Sequence, residues 1–371
     1  MIPYGRHCIE EDDIEAVVSV LKSNDNISDG AKCEELEKKL AEYIGIDYAV
    51  VVSSGTAALH AACYVAGIKE GNEVITSPNT FVSTVEAIMY CGATPVFADI
   101  DPKTHNIDPV NICEKITSKT KAILPVDYAG QPCDMDAIRA IAQKHHLIII
   151  EDGAEALGAE YKSKKIGTIS DMTIFSFHAV KNITTCEGGA IVTNKKEYYE
   201  KLKYFRTYGI DKTARTEKAP WLAKQIGFGY NYRLSEIQCA MGISQLRKLD
   251  RFNVRRAEIA KRYYDGLDGV KHIQLPYIDP NSKTNWYMFV IQIEGIERTV
   301  VWEKLKESGI IAGVSFYPVY KHPYYQENGF GNVYCKESEK FYESALSLPC
   351  FPKLTDEEVD RVINVLIKVC S

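Results

Sequence analysis

The residues with the most chemical potential fall in one stretch, Phe175-Ser176-Phe177-His178-Ala179-Val180-Lys181-Asn182-Ile183-Thr184-Thr185-Cys186-Glu187-Gly188-Gly189. A lysine follows an apolar run here, with hydroxyls on both sides and a Gly-Gly pair after it. An arbitrary lysine is a solvated side chain. One held past the end of a buried strand, among apolar neighbours, loses proton affinity and can act as an amine nucleophile. Ser176, just upstream, is placed to cap an anion. A second candidate, Asp152, ends the run Leu147-Ile148-Ile149-Ile150-Glu151-Asp152. It reads either as a helix N-cap or as the carboxylate partner of a heterocyclic cation. Pyridoxal phosphate requires a Schiff-base lysine together with an aspartate at the pyridinium nitrogen, so Asp152 and Lys181 support that chemistry jointly. A third element, Ser53-Ser54-Gly55-Thr56, opens a helix whose first N–H groups suit a phosphate. An ordinary capped turn has the same pattern.

These three clusters must be carried by a scaffold that brings them together. Before residue 195 the apolar runs are 48–54, 73–78, 94–100, 122–127, 147–152, 172–177 and 190–194. Several are continuously apolar, as strands are when both faces are buried. Helix-like segments at 56–68, 80–91, 108–118 and 134–146 lie between the first five. The alternation predicts an α/β sheet with helices on both faces, and ligands of such sheets bind beyond the carboxyl ends of the strands. Beyond residue 235 the texture changes. Residues 235–268 read as one or two helices rich in Arg and Lys, 286–293 and 311–316 as strands around a helix near 298–308, and 355–369 as a final helix. The expected organisation is a large domain over 1–245 and a smaller α+β domain over 246–371, with the first dozen residues packing on the latter.

Composition narrows the field. The chain has 371 residues, 46% hydrophobic and 25% charged, with a net charge of −6. Those values suit a globular protein and carry no electrostatic footprint of a nucleic-acid binder. No apolar run reaches the roughly 18 residues of a membrane span, so neither nucleic acid nor membrane is an expected partner. Eleven cysteines without a C-x-x-C pair argue for free thiols in a reducing cytoplasm rather than a zinc site. The eight histidines show no metal-binding spacing, so no metal is expected. Gly227-Phe228-Gly229 is only a fragment of the dinucleotide fingerprint and is rejected as one. Tyr317, Tyr320, Tyr324 and Tyr325 read first as packing, with a sugar or nucleotide contact as the alternative.

In this order, IPYGRHCIEEDDI, SSGTAALH, TSPNTFVS, GATPVFADID, EDGAEALG, SFHAVKNITTCEGGAIVTN and NYRLSEIQCAMG resemble the nucleotide-sugar aminotransferases of the DegT/DnrJ/EryC1/StrS family over nearly the whole chain. Within it, VDYAGQPCDMD and SFHAVKNITTCEGGA are most similar to the transaminases that form UDP-4-amino-4,6-dideoxy-N-acetyl-β-L-altrosamine in the pseudaminic acid pathway. The resemblance implies a fold-type-I pyridoxal-phosphate transferase with a mostly parallel seven-stranded sheet, active as a cytoplasmic homodimer with shared active sites. It implies L-glutamate as amino donor, a UDP-ketosugar as acceptor and pyridoxamine phosphate between the half-reactions.

Residue by residue, the resemblance makes Lys181 the Schiff-base lysine and Asp152 the pyridinium partner. Gly55, Thr56 and Ser176 match phosphate-binding positions, and Asn231 the asparagine that reaches the neighbouring subunit's cofactor. Phe81 matches the residue stacked on the pyridine ring. Tyr4, the segment Asp25-Asn26-Ile27-Ser28 and the segment Ser315-Phe316-Tyr317-Pro318 match nucleotide-sugar contacts. Three positions depart from the pattern. Glu155 replaces Gln or His beside the cofactor's phenolic oxygen, where a carboxylate repels negative charge unless protonated or turned away. Tyr208 replaces a frequent His, and Ser315-Phe316-Tyr317 replaces His-Tyr-x. The last departure leaves another UDP-, dTDP- or GDP-linked ketosugar open as substrate. A non-catalytic regulatory protein of the same fold is the remote alternative, disfavoured by the intact Lys181, Asp152, Ser176 and Asn231.

Overall fold

The computed structural model describes residues 1–211, 219 and 221–370. All seven expected runs become strands of one sheet: β1 (Tyr48–Val52), β2 (Glu73–Thr76), β3 (Thr94–Phe97), β4 (Thr120–Leu124), β5 (Ile148–Asp152), β6 (Met172–Ser176) and β7 (Gly189–Thr193). Their order is β1-β7-β6-β5-β4-β2-β3. Only β7 runs antiparallel to its neighbours β1 and β6; every other pairing is parallel.

Alternation along each strand explains why the runs read as continuously apolar. Val51, Ile75, Ile123, Ile149, Phe175 and Val192 point into one core. Val50, Val52, Val74, Leu124, Ile150, Ile174 and Ile191 point into a second core on the other face. The helices that cover these faces include α1 (Glu11–Lys22), α2 (Ala31–Ile44), α3 (Gly55–Val65), α4 (Val82–Tyr90), α5 (Pro109–Lys115), α6 (Met135–His145), α7 (Lys196–Phe205) and α8 (Glu236–Leu246). The first face takes Leu36 and Leu40 of α2, Ile138 of α6 and Ile243 of α8. The second takes Leu59 of α3, Ile88 of α4 and Leu202 of α7.

A long helix, α9 (Leu249–Leu267), leads into a third core. It holds Ile259 and Tyr263 of α9, residues of α10 (Arg298–Glu307) and α12 (Asp356–Cys370), and Ile2 at the start of the chain. Between the last two helices lies α11 (Lys336–Ser344), and a small antiparallel sheet runs β8 (Ile273–Gln274), β9 (Phe289–Ile293), β10 (Ala345–Leu348).

The segment 311–316, expected as a strand, is not one. Its backbone bonds go elsewhere: Ile311 donates to the Ile2 carbonyl, Ile2 donates to Gly309, and only Gly313 bridges to Ser347. Gly313 also lies against the Tyr4 ring, where a Cβ would sit 2.7 Å from Cε2. The N-terminus has taken the place a neighbouring strand would hold, and β10 supplies the sheet's third strand. β9 starts later than expected because Trp286 adopts a positive φ of 55°. Among the described residues, no helix is long and apolar enough to cross a membrane.

Candidate active site

The polar ends of the strands converge as expected. Asp152 is the last residue of β5, and its carboxylate is 4% exposed. It accepts from the Thr84 hydroxyl of α4 at 2.7 Å and from the Ala154 N–H at 3.1 Å. Thr84 in turn lies 2.7 Å from the hydroxyl of Thr80. No helix begins at Asp152; turns follow it, so the N-cap alternative falls. Burial pushes the Asp152 carboxyl above the usual range, and Thr84, Ala154 and Lys181 pull it back.

Lys181 occupies the turn between β6 and β7, its N–H bonded to His178 O at 2.9 Å. Its Nζ lies 3.3 Å from Glu155 Oε1 and 4.4 Å from the centre of the Tyr287 ring. The expected loss of proton affinity does not occur. Burial pulls Lys181 down, but Tyr287, Glu155 and Asp152 outweigh it and hold the ammonium above the ordinary lysine range. Apolar neighbours alone would have given the opposite sign.

Glu155 is buried in the turn after β5. Its Oε2 accepts from the Ala129 N–H at 2.9 Å, so the carboxyl is turned toward Lys181 and the chain after β4. Burial raises its affinity for a proton, while Lys181 and the Ala129 N–H oppose that rise. Asn285 fixes this turn by donating to Glu155 O at 2.8 Å and Leu157 O at 3.0 Å. Gly130, at φ 86°, leaves the room Asn285 needs: a Cβ there would fall 1.9 Å from Asn285 Oδ1.

The anion end is built from β1, α3 and β6. Ser54 caps α3, its hydroxyl accepting from the Ala57 N–H at 3.0 Å. Gly55, the first residue of α3, faces Ser176, and a Cβ there would meet the Ser176 side chain at 3.0 Å. Thr56 lines a cavity of about 430 Å³ together with Ser53, Ser54, His60, Tyr90, Tyr230 and Tyr232. Free helix N–H groups, a serine hydroxyl and a clearance kept open by glycine suit a phosphate. A buried carboxylate and a buried amine lie beyond it at the neighbouring strand ends. The residues present therefore fit pyridoxal phosphate.

Several expected substrate contacts gather beside this centre. Phe81, 60% exposed at the start of α4, lies 6.4 Å from the Phe316 ring. Phe316 lies 6.2 Å from Tyr128, whose hydroxyl donates to Ser315 O at 2.6 Å. Tyr4 lies in the same wall, its ring against Gly313, in the packed group that also holds Phe316. Val319 donates to Pro78 O, which ties the end of the Ser315–Pro318 segment to the chain before Phe81. Tyr317 packs on His322 and Tyr342, while Tyr320 and Tyr325 are buried, so this tyrosine cluster divides between wall and core.

Two other expected groups are not brought to Lys181 within this chain. Asp25, Asn26, Ile27 and Ser28 are exposed, and Ile27 O accepts from the Glu236 N–H at the start of α8. Asn231 is exposed next to Tyr230 and Tyr232, pairing with Thr207 through the backbone. Tyr208 stands near it, stacked under Arg233 at 5.7 Å. The sequence reading missed Thr84, Tyr128, Asn285 and Tyr287. Thr84 lies one residue beyond the TSPNTFVS motif and Tyr128 inside VDYAGQPCDMD, but no spacing rule marks Asn285 or Tyr287.

Comparison with known proteins agrees with this geometry. The DegT/DnrJ/EryC1/StrS aminotransferase family matches residues 7–367. The chain is 39% identical to the spore coat polysaccharide biosynthesis protein SpsC of Bacillus subtilis, over 98% of this chain and 96% of that one. Helicobacter pylori PseC, an aminotransferase involved in the biosynthesis of pseudaminic acid, superposes with a TM-score of 0.94 at 34% identity, covering 100% of this chain and 99% of that one. Spr1654 of Streptococcus pneumoniae, solved in PMP and PLP forms, is 30% identical with TM-scores of 0.94 and 0.93, over 100% of this chain and 99% and 98% of those chains. The chain belongs to the DegT/DnrJ/EryC1/StrS family and is a pyridoxal-phosphate-dependent sugar aminotransferase.

Proposed function

We propose that this enzyme moves the amino group of L-glutamate to C4 of a UDP-linked 4-keto-6-deoxy-N-acetylhexose, giving UDP-4-amino-4,6-dideoxy-N-acetyl-β-L-altrosamine. The observation that carries the reading is Lys181 held between Glu155 and Tyr287 at the strand edge, walled by Tyr4, Tyr128, Phe81 and Phe316. An aromatic wall beside a buried amine, with Phe81 open to solvent, suits a substrate with apolar ring faces and a polar rim. Likeness to PseC supports the sugar. The working form is a cytoplasmic homodimer in which Asn231, exposed here, completes the partner's phosphate site.

Pyridoxal phosphate supplies, when bound, an electron sink for the carbanion formed next to the substrate nitrogen. The start of α3 and Ser176 would hold its phosphate. Asp152, fixed by Thr84 and the Ala154 N–H, would keep a negative charge at the ring nitrogen. Lys181 Nζ would carry the covalent link and, when free, would act as the general base and acid that moves the proton at the substrate carbon, in one direction for the donor and in the reverse for the sugar.

A second reading rests on Ser315-Phe316-Tyr317, which departs from the family pattern in the aromatic wall, and on the higher identity to SpsC than to PseC. It gives the same chemistry on another nucleotide-linked ketosugar. One experiment separates them. The protein is loaded with pyridoxal phosphate, treated with L-glutamate, freed of excess, and given UDP-2-acetamido-2,6-dideoxy-β-L-arabino-hexos-4-ulose. Loss of the lysine-linked absorption with glutamate, and its return with this ketosugar, supports the first reading. Loss without return rejects the altrosamine product and moves the search to UDP-, dTDP- and GDP-linked alternatives. Lys181→Ala should show no lysine-linked absorption and no turnover; normal turnover sinks the assignment of Lys181.

A further inference from the structure

The contact between Lys181 and Glu155 joins two turns, and a set of amides fixes those turns from behind. Asn253, on α9, donates from Nδ2 to Leu157 O at 3.2 Å and accepts on Oδ1 from Asn182 Nδ2 at 3.1 Å. Asn182 directly follows Lys181 and is buried, and Leu157 lies two residues after Glu155. One side chain therefore spans both turns, with bonds that reach across 71 and 96 positions of sequence. From the other side, Asn285 donates to the same Leu157 O and to Glu155 O, and its Oδ1 accepts from the Tyr287 N–H at 3.0 Å. A carbonyl oxygen only accepts, so one orientation of each amide satisfies the set: both Nδ2 groups face Leu157 O, and the oxygens face Asn182 and Tyr287. Both amides also occupy space that a glycine at positive φ keeps open. Gly158, at φ 84°, would carry a Cβ 2.5 Å from Asn253 Nδ2, and Gly130 gives Asn285 its clearance.

We infer that Asn253 is a positioning residue for Lys181: by bonding to Leu157 O and Asn182 at once, it locks the Glu155 turn to the Lys181 turn and sets the separation of those two side chains. Among the described residues it bonds to neither side chain of the pair, so it acts through the two turns. Asn285 steadies the Glu155 turn, and Asn253 joins that turn to the lysine's. An amine that moves a proton at a substrate carbon must return to one place in every cycle, and a misplacement of about 1 Å costs up to about a hundredfold in rate. The inference rests on Lys181 being the cofactor lysine.

The test reads Lys181 before any cofactor binds. The full chain, free of cofactor, is acetylated competitively with acetic anhydride across a pH series. Labelling of Lys181 is compared by peptide mass spectrometry with that of Lys38, an exposed lysine of α2. Asn253→Leu removes both bonds with little change in size. With the turns unlinked, Glu155 should lose its contact with Nζ and relative labelling of Lys181 should rise about tenfold, the effect of one pH unit on an amine titrating above the assay range. Asn253→Asp keeps the bond from Asn182 and loses the one to Leu157 O; it should behave like the Leu variant, because half a bridge joins nothing. In a Glu155→Gln background, Asn253→Leu should have little further effect. Thr193→Val removes a buried hydroxyl that donates to Asp171 O at the opposite edge of the sheet, and should leave Lys181 labelling unchanged.

In the loaded enzyme, the rate of the half-reaction with L-glutamate should fall in Asn253→Leu while the half-saturating concentration stays the same; the reverse pattern overturns the inference. Labelling like the natural chain's in Asn253→Leu or Asn253→Asp also overturns it. So does a full further rise in the Gln background, or an equal rise in Thr193→Val, since either would mean that the substitution merely loosens the fold. If the Leu variant does not fold, Asn182→Ala decides, because it cuts the same bridge at the lysine's end: labelling like the natural chain's overturns the inference. Failure of the cofactor assignment would show separately, as lysine-linked absorption surviving in Lys181→Ala.

Discussion

Replacing Thr84 by Val tests how the ring-nitrogen carboxylate is held. The two side chains are nearly isosteric, and Thr84 is 1% exposed, so the variant removes a hydroxyl and little else. That hydroxyl donates to Asp152 at 2.7 Å inside a site where Asp152 itself is 4% exposed. A hydrogen bond to a charged group contributes about 1.5–3 kcal/mol. Since one pKa unit corresponds to about 1.4 kcal/mol, its loss should raise the Asp152 carboxyl by about 1–2 units. Burial already pushes this group up and Thr84 is the strongest of the influences pulling it back, so the shift is upward. The assay is the pH dependence of the half-reaction with L-glutamate, followed by the cofactor's absorption. The acid limb should move upward by about 1–2 units in Thr84→Val, with the plateau rate restored at higher pH. An unmoved acid limb in a folded, cofactor-loaded variant would refute the role given to Asp152.

Two further perturbations probe the phosphate end and the tether of the N-terminal helix. Gly55→Ala places a Cβ 3.0 Å from the Ser176 side chain; an overpacking cost of about 1–3 kcal/mol falling on the loaded state should weaken cofactor affinity about ten- to hundredfold, measured by fluorescence titration, and unchanged affinity would remove the cradle from the argument. Lys248, 7% exposed immediately before α9, pairs with Glu10 at 3.4 Å, Asp12 at 2.5 Å and Asp13 at 2.8 Å. Lys248→Met should cost about 3 kcal/mol in denaturant unfolding at pH 7, because it strands the buried Asp13. Glu10 is held low by Arg251 and Lys248, and Asp12 by Lys248. The stability these two carboxylates confer is complete above their unfolded values, near about 4, and lost as pH falls through their folded ones. The gap between the natural chain and Lys248→Met should therefore narrow below about pH 4; a constant gap would mean that Lys248 acts by packing.

The large domain's sheet was readable because its signal is local. Each strand is a short apolar run closed within a few residues by Ser, Asp or Asn, and each face is filled by every second residue, so period and punctuation agree. The smaller part was harder. Residues 311–316 have strand composition, yet the segment's first hydrogen bond went to Ile2, more than three hundred positions away in sequence, and only Gly313 paired with Ser347. No local rule reports which distant segment will occupy a sheet edge. β10 was missed for the reverse reason: Ala345-Leu346-Ser347-Leu348 is too short and mixed to stand out, and it becomes a strand because β9 is there to pair with it.

The site divides along the same line. Lys181, Asp152, Gly55 and Ser176 sit at strand ends, where sequence position already implies proximity, and the structure brings them to one edge of the sheet. The sign of the charge at Lys181 was not legible, because it is set by residues with no sequence relation to the lysine's strand. Glu155 arrives from the turn after β5 and Tyr287 from the entry to β9, and each is unremarkable in its own segment. A solvated lysine would need no such company. A desolvated one with two carboxyls beside it would be trapped as the ammonium, and a proton-transfer group that cannot shed its proton does no work. Pyridoxal phosphate joined to that nitrogen would replace the free ammonium, so the hold of Glu155, Asp152 and Tyr287 bears on the lysine while it is free of the cofactor.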